Sequence, residues 1–287
     1  MTTLAALRAD AEQIARQLPA FMLNAVAADV MHPGAAKRKR AGSGEQFWQF
    51  RHYAQTDAAE RIDWRRSARS DDYYVRETEL ETARTILFWT DPHPGFDWSG
   101  DAARETKAYR AKTMMLASAS LLAKSGERVG MLGGGRPASL GRHAADRLAE
   151  DLITGSSAPL SPPKTRSIAV IASDFYDPIE DWRKRLMPIA ARCKSGILLA
   201  VSDPIEHEFP FTGRTRIARP GTQLSRIFGR AESIREIYLE KLEQHRNALQ
   251  DLAKTMNWAL VTHRTDQSGV EGASALQHAL EQFGGRS

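Results

Sequence analysis

Three apolar segments of this sequence each end in an aspartate. Asp91 follows RTILFWT, Asp174 follows RSIAVIAS and Asp203 follows GILLAVS. If these segments are parallel strands of one sheet, the carboxylates meet at the same edge. Asp91 and Asp174 would then offer hard oxygen ligands to a cation such as Mg²⁺. The simpler interpretation is that the aspartates cap turns and the following helices through local hydrogen bonds.

His93 lies between two prolines directly after the first of these segments and has the chemistry of a ligand or a general base. A hydrolytic site would combine Asp91 and His93 with Ser99 or Ser173 as the nucleophile. Neither serine lies in the Gly-x-Ser-x-Gly turn that exposes a nucleophile in many hydrolases. Hydrolysis is therefore the alternative from a different class of function, and an exposed loop histidine is the simpler interpretation.

Three other features suggest chemistry more weakly. GMLGGGR at 130–136 lacks the Gly-Lys-Ser/Thr of a nucleotide-binding loop and predicts a tight turn. Arg192 and Lys194 flank Cys193 and would lower its pKa, although an inert, partly buried thiol is the simpler interpretation. The basic run Lys37–Arg40 would bind nucleic acid or an acidic partner, or would be a solvated loop.

The composition restricts the possible classes of protein. The 287 residues are 42% hydrophobic and 26% charged, which is typical of a globular chain. The net charge of +5 is small for this size, so nucleic acid is not an expected partner. No apolar run reaches the roughly 20 residues that span a bilayer, and the N-terminus does not resemble a signal peptide. With a single cysteine, we expect a soluble cytoplasmic protein.

The elements that position these residues follow from the alternation of apolar and amphipathic segments. Strands are predicted at 84–91, 127–134, 166–174, 196–204 and 257–266, and helices at 103–125, 142–154, 177–193, 231–257 and 272–283. Apolar strands alternating with helices predict an α/β fold, a doubly wound and mainly parallel sheet. Asp177 is the expected cap of the third helix, and the insertion 205–230 is expected to form a hairpin.

The N-terminal third has a different pattern. Residues 3–29 predict an amphipathic helix, interrupted at Pro19, that packs on the sheet. Residues 32–44 predict a loop, and 45–80 mix arginines, acids and aromatics in a segment that is irregular apart from a strand over Tyr73–Leu80. Such a composition suits an arginine–carboxylate network under aromatic rings that joins helix to sheet. We therefore expect two parts, 1–80 and 81–287.

This segment resembles the signature of the bacterial DUF58 family. The matching pieces are GSGEQFWQFRHY at 42–53, Thr56-Asp57, RIDW at 61–64, SAR at 67–69 and VRE at 75–77. The signature residues are Arg51, Tyr53, Asp57, Arg61, Asp63, Trp64, Arg69, Arg76 and Glu77. The likeness continues through Asp91, Asp174 and Asp203, and Thr56 replaces the family's glycine.

The resemblance implies a von Willebrand factor A-like fold and a role without catalysis. Family members accompany MoxR-type AAA+ ATPases and are regarded as adaptors or chaperone-like partners in the assembly of complexes. We therefore expect a protein partner, with such an ATPase as the leading candidate. The partner would contact the carboxyl edge of the sheet through Asp91, His93, Asp174, Asp203 and Glu206, with the insertion beside it.

The metal-binding motif that the resemblance implies is incomplete. The pattern Asp-x-Ser-x-Ser should follow the first strand, but the sequence has Asp91 followed by Pro-His-Pro-Gly. Asp174 matches the later aspartate of the motif, and Ser139 is a weak candidate for the remaining ligand. Two carboxylates hold Mg²⁺ poorly because few protein oxygens then replace its bound water. No cofactor is expected, with Mg²⁺ at Asp91 and Asp174 left open.

Overall fold

A computed structural model describes residues 3–21, 41–53, 62–68, 72–79, 83–154, 158–218, 220–221 and 223–284. The chain divides into two compact units, one of Met1–Ala28 with Arg84–Ser287 and one of Asp29–Ala83. The N-terminal helix therefore belongs with the residues of the sheet, and the signature segment is a unit of its own.

The elements in chain order are as follows. They are α1 (Leu4–Gln17), β1 (Ala41–His52), α2 (Trp64–Ser67), β2 (Tyr74–Glu79), β3 (Thr85–Thr90), α3 (Lys107–Lys124), β4 (Arg128–Met131), α4 (Ala144–Thr154), β5 (Ile168–Ser173), α5 (Ile179–Ala190), β6 (Ser195–Ser202), α6 (Pro204–Glu208), β7 (Thr215–Ala218), β8 (Ser225–Phe228), α7 (Arg235–Thr255), β9 (Ala259–Arg264) and α8 (Gly269–Gly284). A short 3-10 helix, Ala231–Ile234, precedes α7.

Five parallel strands form the central sheet in the order β4-β3-β5-β6-β9. The chain runs outward from β3 to β4 and then crosses back to β5 before it continues to β6 and β9. The order of strands thus reverses between β3 and β5, and ligands of such sheets bind beyond the carboxyl ends at that reversal. The predicted doubly wound α/β fold is confirmed.

Apolar side chains of successive strand residues point to opposite faces of the sheet and form two cores. Ile86 and Phe88 of β3 belong to the core covered by α1, α3, α4 and α8. Leu87 and Trp89 belong to the other core, covered by α5 and α7. Helix α3 has other helices on its outer side, which explains why most of its residues are buried.

Some local predictions need correction. Within the predicted helix over 3–29, α1 ends at Gln17 because Leu18 is extended, as expected of the residue before Pro19, and residues 22–29 lie outside the described part of the chain. Asp177 is not the capping residue of α5: the helix begins after Pro178, and Asp177 Oδ2 instead lies 3.3 Å from Arg185 Nη1. The insertion does form the predicted hairpin, β7 with β8, after the short helix α6.

The glycine-rich segment after β4 is a tight turn, as predicted. Gly133 has a φ of 75°, which favours glycine. A Cβ at this position would lie 2.1 Å from the carbonyl oxygen of Pro159, so no larger residue fits without movement of the backbone. The turn is therefore explained by packing alone, without a bound phosphate.

The second unit contains a strand that the sequence pattern did not predict. Residues 41–52 form β1, which pairs antiparallel with β2, whereas a loop and an irregular segment were expected. The backbone N–H of Tyr53 donates to Tyr73, and Asp63 caps α2 by accepting from Arg66 N. The Arg66 guanidinium lies 5.6 Å from the ring centre of Phe50 and contributes a cation–π contact.

Only part of the signature can be placed. Arg51 lies on β1 opposite Val75, and Arg76 and Glu77 lie on β2. Trp64 begins α2 and contacts the ring of Tyr73 at 5.9 Å between centroids. Asp57, Arg61, Arg69 and the basic run Lys37–Arg40 lie outside the described residues. The arginine–carboxylate network therefore stays a prediction.

Two histidines at the end of the sheet should make stability depend on pH. Burial, followed by the charge of Arg110, lowers the pKa of His263 to about 4, and burial likewise lowers that of His207 to about 4. Unfolded histidine has a pKa near 6.5. Between about pH 6.5 and 4, these two histidines are therefore protonated in the unfolded chain but remain neutral in the folded chain. Stability should therefore fall on acidification, by about 1.4 kcal/mol per pH unit for His263.

Urea unfolding between pH 7 and 5 measures this effect. The pH slope of the unfolding free energy reports how many more protons the unfolded chain binds than the folded chain. His263→Gln should lower this number by about one, because glutamine does not titrate. His143→Gln is the control, since it makes the same substitution at a histidine whose side chain is mostly exposed. Equal slopes for wild type and His263→Gln would contradict the assignment.

Candidate functional site

The carboxylate of Asp91 lies almost buried at the end of β3 and accepts hydrogen bonds from its neighbours. Its Oδ1 accepts from the backbone N–H of His93 at 2.9 Å, and its Oδ2 from the Ser173 hydroxyl at 2.6 Å. Ser173 Oγ in turn accepts from the N–H of Phe175 at 3.0 Å. Asp91 therefore ties the loop after β3 to the loop after β5, the two loops at the reversal of strand order.

A buried lysine stands between two carboxylates beside this point. Lys107, in the first turn of α3, is only 1% exposed. Its Nζ donates to Asp174 Oδ2 at 2.9 Å and to Glu206 Oε1 at 2.6 Å. The ammonium also lies 5.2 Å from the ring centre of Tyr176. A buried ammonium in a protein interior requires such partners, because an unpaired charge there is very costly.

The remaining oxygens of these carboxylates are also occupied. Glu206 Oε2 accepts from the Tyr176 hydroxyl at 3.1 Å and from the N–H of Asp203 at 2.8 Å. Asp174 Oδ1 accepts from the N–H of Tyr176 at 3.2 Å. Burial raises the pKa of Glu206, and the charge of Lys107 opposes that rise. Burial also raises the pKa of Tyr176, so its hydroxyl stays a donor. We call Lys107, Asp174, Glu206 and Tyr176 the charged floor.

Backbone strain helps to place the charged floor. Phe175, between Asp174 and Tyr176, has a φ of 57°, a left-handed conformation that is rare for a bulky residue. Its ring is fully buried and packs 4.7 Å from that of Trp182. Its carbonyl accepts from His245 Nε2 at 2.7 Å, which requires that nitrogen to carry the proton. Packing and this hydrogen bond hold a strained residue of the type often found at binding sites.

Asp203 begins α6 and lies at 0% exposure. Its Oδ1 accepts from the N–H of Ile205 at 3.0 Å, and its Oδ2 from the N–H of Gly100 at 3.1 Å and the Thr265 hydroxyl at 3.3 Å. With Glu206 it forms a reciprocal capping box. Direct contact of Asp203 with a partner, as predicted, does not fit this burial; Asp203 organises the loops instead.

A cavity of about 1030 Å³ opens above the charged floor. Its walls are mainly apolar and carry six aromatic residues: Trp98, Tyr176, Phe209, Phe211, Phe228 and Tyr238. The β7–β8 hairpin covers one side. At its tip, the backbone of Gly221 approaches Pro94 so closely that a Cβ would lie 2.7 Å from the proline ring. The hairpin therefore spans from α6 to the loop after β3.

The rim of the cavity is basic. Arg216 on β7, Arg226 on β8 and Lys241 on α7 line it and are exposed. Arg216 Nη2 donates to Ser225 Oγ at 3.3 Å, and the Arg226 guanidinium lies 5.2 Å from the ring centre of Phe228. Within the part of the chain that the structure describes, no carboxylate lies at ion-pair distance from these three cations. We call them the basic rim.

The predicted site residues are only partly brought together. His93, Asp174 and Glu206 all line the cavity, as expected for the carboxyl edge of the sheet. Asp91 lies beside it, in a smaller pocket that His93 shares. The sequence interpretation missed Lys107. The available signal was a lysine in the first turn of a helix whose following residues are nearly all apolar or small.

The groups proposed for hydrolysis do not form a nucleophile–base pair. Ser173 is fully buried and its hydroxyl donates to Asp91, not to His93. His93 Nδ1 accepts from the N–H of Gly95 at 2.9 Å, and Ser99 Oγ donates to the carbonyl of Asp101. Cys193 is partly buried, and burial raises the pKa of its thiol to about 11, which agrees with the inert thiol and not with the alternative of a lowered pKa.

The proposed cation ligands are engaged elsewhere. Asp174 pairs with Lys107 and Asp91 accepts from Ser173, so an ammonium already neutralises one of the two carboxylates. Ser139 forms an antiparallel bridge with Val129 at the edge of the sheet. No group of three or more acidic, histidine or cysteine side chains among the described residues is arranged to hold a metal ion. In the same residues, no helix is long and apolar enough to cross a membrane.

Comparison with known proteins agrees with the signature. The model of the family described as "Protein of unknown function DUF58" matches residues 49–248. The "Uncharacterized protein Rv1480" of Mycobacterium tuberculosis is 26% identical over 249 residues, 79% of this chain and 76% of that protein. The "Uncharacterized protein MAV169" of Mycobacterium avium is 28% identical over 148 residues, 47% of this chain and 86% of that protein. No solved structure matches.

Proposed function

The chain belongs to the DUF58 family, and from that premise we propose that it is a non-enzymatic protein-binding module whose partner docks on the cavity at the carboxyl edge of the sheet. The partner we propose is a MoxR-type AAA+ ATPase, for which the module would be an adaptor or chaperone-like subunit in the assembly of complexes. The choice of ATPase rests on the family resemblance, and the choice of surface rests on the geometry of the cavity.

The observation that carries the proposal is an aromatic cavity above a charged floor whose hydrogen bonds are complete. Lys107, Asp174 and Glu206 satisfy one another, so they are poorly placed to transfer protons or to attack a substrate. Aromatic walls next to exposed hairpin residues are typical of sites where proteins anchor a partner's side chains. Leu224, which lines the cavity and is 69% exposed, extends this surface outward.

The proposed likeness to von Willebrand A domains supports the same edge as the docking surface. In the von Willebrand A pattern that the chain resembles, a cation at the positions of Asp91 and Asp174 holds the partner. Here an internal ammonium, Lys107, pairs with one of these carboxylates. We propose that the edge is retained for binding while apolar contacts in the cavity replace the cation bridge.

Binding of purified proteins tests this proposal. A MoxR-type ATPase from the same genome is immobilised, and affinity is measured for wild type, Leu224→Asp and Leu140→Asp with no nucleotide, ADP and ATP. Leu224→Asp should weaken binding by about tenfold or more, because a charge then replaces an apolar contact at the cavity. Leu140→Asp is the matched control: this leucine is 47% exposed and lies outside the cavity, so affinity should be unchanged.

Two results would overturn the proposal. If the wild-type protein bound the ATPase in none of the three nucleotide states, the proposed partner would be wrong. Equal affinities for Leu224→Asp and wild type would remove the cavity as the docking surface.

A further inference from the structure

We infer that the cavity takes an acidic segment of a partner protein, with an aromatic or large aliphatic side chain inserted between the aromatic walls and carboxylates placed against Arg216, Arg226 and Lys241. This inference rests on the proposed function and specifies the chemistry of the partner. It follows from three properties of the site: the charge of the rim, the apolar walls and the closed floor.

The basic rim selects for negative charge. Its three cations line one opening and have no carboxylate partner among the described residues. The two acids of the cavity do not offset them, because Asp174 and Glu206 lie at the floor and are already paired with Lys107. An approaching segment therefore meets unpaired positive charge first, which favours acidic partners and repels basic ones.

The walls select for an apolar anchor. The rings of Phe209 and Tyr238 pack at a tilt with their centres 4.8 Å apart, and Phe211 meets Phe209 edge-on at 5.2 Å, so the inner surface is a set of packed rings. An aromatic or aliphatic side chain placed there gains both buried area and ring contacts. A charged side chain placed there would be buried without a partner, since the polar atoms of the floor are occupied.

The surface around the opening favours a polypeptide over a small ligand. The largely exposed Leu224 and the exposed Arg226 stand on the hairpin at the mouth of the cavity. A ligand enclosed by the cavity would leave these side chains in water. A chain segment crosses the mouth and covers them while one side chain enters, which is the arrangement of anchor and surrounding contacts found in protein interfaces.

Calorimetric titration with blocked hexapeptides tests the inference on the whole 287-residue chain. The probes are Asp-Glu-Phe-Leu-Glu-Asp, the basic peptide Lys-Lys-Phe-Leu-Lys-Lys and the acidic peptide without anchors Asp-Glu-Ala-Ala-Glu-Asp, at 50 mM and 500 mM NaCl, with laurate as a small anionic amphiphile. We expect saturable binding of the acidic anchored peptide alone. The higher salt should weaken its binding about tenfold, because exposed charges are screened.

Charge reversal identifies the rim. Arg216→Glu/Arg226→Glu should weaken binding of the acidic anchored peptide by about tenfold or more. Arg183→Glu is the matched control: it reverses a partly exposed arginine of α5 that lies outside the cavity, so affinity should not change. Circular dichroism and urea unfolding confirm that each variant is folded.

The outcomes separate this inference from the proposed function. Three results would each overturn the inference of an acidic segment. They are equal binding of the basic peptide, unchanged binding after charge reversal, and binding of laurate tenfold more tightly than the acidic anchored peptide. If Leu224→Asp abolishes ATPase binding while Arg216→Glu/Arg226→Glu does not affect it, the docking surface stands and the acidic chemistry fails. If neither variant affects ATPase binding, the proposed function itself fails.

Discussion

Replacing Lys107 with methionine should lower the free energy of unfolding by about 3–5 kcal/mol. The ammonium is almost completely buried and is shared by Asp174 and Glu206. Methionine nearly conserves the length of the side chain but removes the charge, so two partly buried carboxylates remain close together without a cation. Removing one partner of a buried ion pair costs much more stability than the intact pair contributes. The reason is that the remaining charge stays buried and keeps its desolvation cost.

Urea unfolding at pH 7 measures this loss in the free energy of unfolding. Two further variants serve as comparisons. Lys184→Met removes an exposed ammonium that pairs with Asp181 at 3.6 Å, and should cost less than about 1 kcal/mol. Adding Glu206→Gln to Lys107→Met should recover part of the loss, since it removes one of the two unpaired carboxylates. A loss for Lys107→Met as small as that for Lys184→Met would show that the charged floor contributes little.

The same geometry shows how the loops at the carboxyl edge of the sheet are held together. A cation site neutralises carboxylates from separate loops and so holds those loops together. Here Lys107 supplies a fixed positive charge from α3 to Asp174 after β5 and to Glu206 in α6. The loops are joined by an ion that is part of the chain and cannot dissociate. The arrangement of these loops is thereby fixed by residues of the chain itself.

The sheet was predictable from the sequence because its signal is periodic and local. The segments around Leu87, Ile171 and Leu198 are apolar on both faces, and only a sheet covered on both sides buries such strands. Their parallel arrangement then follows from the intervening helices. The positions of Asp91 and Asp174 at one edge follow in turn, because parallel strands end on the same side.

The parts that were missed depend on contacts distant in sequence. Lys107 meets Glu206 across 99 positions, and no local pattern reveals such a pair. Strand β1 is rich in glycine and polar residues and owes its conformation to pairing with β2, so its propensity alone predicts a loop. Asp203 was recognised as an acidic edge residue, but its burial depends on Gly100 and Thr265, which lie far from it in the chain.

Replacing Asp203 with alanine should cost about 3 kcal/mol or more. The change leaves the N–H groups of Gly100 and Ile205, which are partly buried, and the buried Thr265 hydroxyl without their acceptor. Each buried donor that loses its partner costs about 1–3 kcal/mol. Arg104 Nη2, 3.5 Å from Asp203 Oδ1, loses a counter-charge as well. Asp203→Asn should recover part of the loss, because the amide keeps one accepting oxygen.

Urea unfolding of Asp203→Ala, Asp203→Asn and Asp101→Ala separates the buried network from an ordinary turn. Asp101 accepts from the N–H of Ala103 at 2.9 Å in an exposed loop, and its removal should cost less than about 1 kcal/mol. Because the Asp203 side chain caps the first turn of α6, which carries Glu206, Asp203→Ala should loosen the charged floor and weaken binding of the proposed partner even in the folded state. If Asp203→Ala lost no more stability than Asp101→Ala, the loops around the cavity would have to be held by the charged floor alone.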